Sequence, residues 1–268
     1  MNLFGIVALS LGIGCTACND QSIGVSPMLE PPLKPGQILD KNSEYAKKWP
    51  GRPALFKLKD NLILAIPPQF NAFWRQYDRW GRDQMTRPPL PLKDIPQMPL
   101  IGFQMFFPDF SGYTQDNYRN EFDEDMVSIV DVTPVTMAEA EPGAAGHHVP
   151  NVLPRLWGGS QPFISTSYEE KFGLRCYEML QLPDGMGRKQ YCIGQRDAAN
   201  DEYLLLEIFL PPFEDWVRFP IMQAKYFSKK YEGVEVVWRA HVKHLKDWHR
   251  IDQQIWAYID AWNIAKAN

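Results

Sequence analysis

One nine-position pattern occurs twice in this chain, and it constrains the fold more than any other feature. The first copy is Met105-Phe106-Phe107-Pro108-Asp109-Phe110-Ser111-Gly112-Tyr113; the second is Ile208-Phe209-Leu210-Pro211-Pro212-Phe213-Glu214-Asp215-Trp216. Both read apolar, Phe, apolar, Pro, any, Phe, any, any, aromatic. Each closes a strand-like run, Leu100 to Phe107 and Tyr203 to Leu210. Pro ends such a run because it has no N–H to give to the ladder. A polar stretch, open to helix, follows each copy and leads to a second strand, Met126 to Val135 and Val234 to Val242. The pattern predicts an α+β fold of two similar α+β halves, mainly antiparallel sheets with a C-terminal amphipathic helix. Duplication and a shared local solution both produce it.

The other elements arrange themselves around this repeat. Leu55 to Ile66 reads as a hairpin turning at Lys59-Asp60-Asn61. Phe70, Phe73, Trp74, Tyr77 and Trp80 recur at helical spacing, an aromatic stripe that reads first as core. Arg87 to Pro99 is a Pro-rich connector. A second hairpin runs from Gly173 to Leu182, turns at Pro183-Asp184-Gly185-Met186-Gly187, and returns through Gln190 to Ile193. It brings Cys176 opposite Cys192, two cysteines that an oxidising compartment would join. At the C-terminus Leu245, Trp248, Ile251, Ile255, Tyr258, Ile259 and Trp262 follow a three-to-four spacing, with Asp247, Arg250, Asp252 and Gln253 between them. That is an amphipathic helix with one face to bury.

The N-terminus carries a different signal. The apolar run Leu3 to Gly14 ends at Cys15 and Cys18. It is too short to span a bilayer as a helix, which takes about 20 apolar residues. It fits the core of a secretory signal peptide, and the small residues before each cysteine fit the lipoprotein form, in which a cysteine is acylated after cleavage. No basic residue precedes the run, the first being Lys34; a buried N-terminal strand is the other reading. Thr16-Ala17-Cys18 favours Cys18 over Cys15 as the lipidated residue. Residues 19 to 52 are rich in proline and poor in apolar residues, as a semi-rigid tether would be. The organisation expected is therefore 1–17 signal peptide, 18–52 tether, 53–137 first α+β half, 138–162 Gly/Pro-rich connector and 163–268 second half.

The search for chemistry excludes more than it finds. With 28 basic and 32 acidic residues the net charge is −4, and no basic stripe points to nucleic acid. There is no phosphate loop, dinucleotide fingerprint or Gly-x-Ser-x-Gly elbow. His241 and His244 stand three apart, without the third ligand zinc needs. No metal, cofactor or catalytic residue is assigned, and the chain reads as a non-enzyme. Glu121, Asp123, Glu124 and Asp125 form an acidic run without the ligand spacing of a calcium loop. It reads as a solvated loop or as a binding edge for a basic partner. With Trp157 in the connector it supplies the candidate partner contacts.

The Gly12-Ile13-Gly14-Cys15-Thr16-Ala17-Cys18 start, the Pro-rich tether and a two-part α+β body without catalytic motifs resemble the lipoprotein immunity proteins encoded beside type VI secretion lipase effectors. The resemblance implies a periplasmic protein, lipid-anchored to the outer membrane, that binds and inhibits a secreted antibacterial lipase toxin. No binding residue carries over by motif. The alternative is a periplasmic lipoprotein enzyme or carbohydrate-binding protein acting on the cell envelope.

Overall fold

The computed structural model describes residues 53–70, 91–114, 124–140, 164–179, 189–210 and 220–267. The proposed signal peptide and tether, the aromatic stripe beyond Phe70, the body of the connector and the Pro183–Gly187 turn lie outside these residues.

The described residues hold ten strands: β1 Ala54–Lys59, β2 Leu62–Ile66, β3 Ile101–Phe106, β4 Met126–Pro134, β5 Glu169–Lys171, β6 Leu174–Glu178, β7 Lys189–Asp197, β8 Glu202–Phe209, β9 Ile221–Ser228 and β10 Val234–His241. Among the described residues two α-helices accompany them, α1 Met137–Ala140 and α2 Trp248–Trp262. β1 and β2 form their own hairpin; the other eight strands form one sheet in the order β3-β4-β10-β9-β8-β7-β6-β5, antiparallel throughout. The expected α+β class, antiparallel sheet and C-terminal helix are therefore all present.

The two sequence halves meet inside that sheet. β4 and β10, the strands expected after each copy of the repeat, pair with one another, Val236 opposite Val132. The halves differ in one respect. Among the described residues β4 is the next strand after the first copy, whereas β9 intervenes between the second copy and β10. Phe106 and Phe209 are both buried at strand ends, as the repeat predicts. Their surroundings differ: Phe106 packs edge-on against Tyr113, while the Lys189 ammonium lies over the Phe209 ring.

Period-2 alternation places one face of the sheet in the core. Val234, Val236, Trp238 and Ala240 of β10 and Met222, Ala224 and Tyr226 of β9 join the same apolar cluster as Ile251, Ile255, Ile259 and Trp262 of α2. The β1–β2 hairpin joins that cluster too. Asn263, just past α2, closes it down: its amide donates to the Asn61 carbonyl and its oxygen accepts from the Ile63 N–H. Phe70 packs against Tyr258 and Trp262 with ring centroids 5.0 and 4.8 Å away, so the first residue of the aromatic stripe is core, as read. α1 begins on a reciprocal cap: Glu139 N–H donates to Thr136 Oγ1, and the Glu139 carboxylate accepts from the Thr136 N–H.

The β1–β2 hairpin is pinned to the sheet at one further point. Tyr231, Glu232 and Gly233 have φ of 54°, 61° and 102°, a left-handed run between β9 and β10. The Lys59 ammonium donates to two carbonyls there, Glu232 at 2.6 Å and Gly233 at 2.8 Å, and to the Val135 carbonyl just past β4 at 2.7 Å. Desolvation holds the Lys59 ammonium below its usual pKa, against the pull of Glu232 and Glu139. Lys59→Met keeps the stem and removes the donors. It is expected to cost about 1–2 kcal/mol, read as a lower urea midpoint with an unchanged slope.

Candidate partner-binding surface

The acidic run reaches the structure at its last two residues. Glu124 and Asp125 precede β4, and the β4–β10 register brings them to the end of β10. There Lys243 lies 2.8 Å from Asp125 and 3.3 Å from Glu124, and His244 Nε2 is 3.0 Å from Asp125. The hydrogen bond from Lys243, with His244 beside it, holds the Asp125 carboxyl below the usual carboxylate range despite some desolvation. Lys243 is raised in turn, chiefly by Asp125. The two carboxylates thus dock onto the chain's own basic groups, and as partly exposed pairs they contribute little stability. Glu121, Asp123 and Trp157 lie outside the described residues, as do Cys15 and Cys18.

His241 and His244 do not share a helix face. His241 ends β10, and its Nδ1 accepts from the Lys243 N–H. His244 sits on the 3₁₀ turn Val242–Asp247, buried against Phe107. Burial lowers the His241 pKa. Among the described residues no group of three or more His, Cys, Asp or Glu side chains converges as a metal site.

Cys176 and Cys192 stand opposite each other on β6 and β7 and form a disulfide, as the spacing predicts. Both are buried in the main core cluster.

A charged cluster lies at the other end of β7. Arg196 Nε donates to Asp252 Oδ2 at 3.0 Å, and its Nη1 meets Glu202. The rings of Tyr226 and Trp256 flank the guanidinium at 4.7 and 5.3 Å. Glu202 Oε1 accepts from Ser228 Oγ and from the Lys229 N–H, both at 3.0 Å. Burial works against the Arg196 charge, but Asp252, Tyr226 and Glu202 together hold its pKa above the usual value. Burial also pushes the Tyr226 phenol well above its usual pKa, with Asp252 adding to the effect. The cluster borders a cleft of about 450 Å³. Glu202 and one oxygen of Asp252 are paired within the fold, whereas Asp252 Oδ1, the Tyr226 hydroxyl and the Trp256 indole N–H are buried without a hydrogen-bond partner among the described residues; the cluster joins β7, β8, β9 and α2.

Exposed aromatic surface gathers elsewhere. The large apolar side chains exposed among the described residues are Met137, Tyr168 and Phe172. Tyr168 and Phe172 flank β5, the last strand of the sheet. Phe172 was not anticipated. Its signal was the Phe172-Gly173 pair between two polar-apolar runs, a hairpin turn hidden because Gly173 reads equally well as the start of a strand.

No family model matches this chain, and no curated protein matches it. Among solved structures it is similar to Smlt3025, an immunity protein of the Stenotrophomonas maltophilia type IV secretion system. The identity is 12% and the TM-score 0.46, over 79% of this chain and 93% of that one.

Proposed function

We propose that this chain is a lipid-anchored periplasmic immunity protein that binds and blocks an antibacterial lipase delivered by type VI secretion. The observation that carries the reading is the buried Cys176–Cys192 disulfide. Such a crosslink suits an oxidising compartment, where the lipoprotein-like start would send the chain. The disulfide staples the end of the sheet on which Tyr168 and Phe172 are displayed, a rigid platform suited to binding. An inhibitor of a lethal toxin must keep the free toxin scarce. The affinity expected is therefore nanomolar or tighter, about −12 kcal/mol or more favourable.

The test is to delete the gene and challenge the cells with a sister strain that delivers the neighbouring toxin. Killing that is reversed by restoring the gene is the expected result, with the soluble body binding that toxin at nanomolar concentration. Full survival of the deletion strain, with no toxin bound in vitro, would overturn the reading and revive the envelope-enzyme alternative.

A further inference from the structure

We draw no further inference here: the strongest candidate, the cleft of about 450 Å³ between the β7–β8 turn and α2, carries nothing, because Arg196 and Lys230 on its walls already pair with Glu202, Asp252 and Asp260, the partnerless polar atoms of Tyr226, Asp252 and Trp256 are closed off from solvent, and nothing in the structure shows what would enter it.

Discussion

Arg196→Ala is expected to destabilise the fold by about 3–5 kcal/mol, a large share of a domain's total stability. The side chains of Arg196, Glu202 and Asp252 retain only 9%, 7% and 4% of their exposure. Removing the guanidinium leaves two carboxylates out of water without their cation. It also leaves the Tyr226 and Trp256 rings without the flat group between them. Arg196→Lys should fall between wild type and alanine. It restores the charge, but not the fork that meets two carboxylates or the plane that stacks on two rings. Urea unfolding of wild type and variant at neutral pH measures the loss. A deficit under about 1 kcal/mol would show that water already reaches the cluster.

That cluster also shows what sequence reading can and cannot reach. The α2 helix was readable because Trp248, Ile251, Ile255, Ile259 and Trp262 fall on one stripe, and all five are buried. Asp252 was read as part of the polar set between them, and the structure buries it at 2% exposure. Period alone places position 252 in the same stripe as Trp248 and Trp256. Only the arrival of Arg196 from β7 makes a carboxylate tolerable there, and that partner lies 56 residues away. Distant polar pairing leaves no periodic trace. β9 failed for another reason. Met222, Ala224, Tyr226 and Ser228 alternate with Gln223 and Lys225, a period of two. Gln, Ala and Lys are weak strand formers, so propensity hid the alternation within what reads as a polar, helix-tolerant stretch. The hairpins at Lys59 and at Cys176 were legible because turn residues and apolar runs agree there. The single sheet was not, because nothing local says that β4 will pair with β10 rather than remain in its own half. Of the candidate contacts, Glu124 and Asp125 proved to sit on Lys243 and His244, and the exposed aromatic tip came from the structure alone.

Replacing Cys176 and Cys192 together with alanine is expected to cost about 3 kcal/mol, within a usual span of about 2–5. The sequence separation is 16 residues, so the crosslink closes a modest loop and restricts the unfolded chain accordingly. The native state adds a second contribution. Both sulfurs lie in the main core beside Leu174, Leu204 and Leu206, and two alanines leave part of that volume unfilled. The loss should appear as a lower urea midpoint. It should be largest for the β5–β6–β7 end, which carries the Phe172 tip, and hydrogen exchange on those strands should quicken more than on β10. Because the bond is buried, mild reductant should leave the native protein unchanged and act only as the chain opens. Reduction should therefore track denaturant concentration rather than reductant concentration. Free thiols in folded protein taken from the periplasm would count against the compartment proposed here. A double-alanine variant as stable as wild type would show that the strand pairing, not the crosslink, holds this end of the sheet.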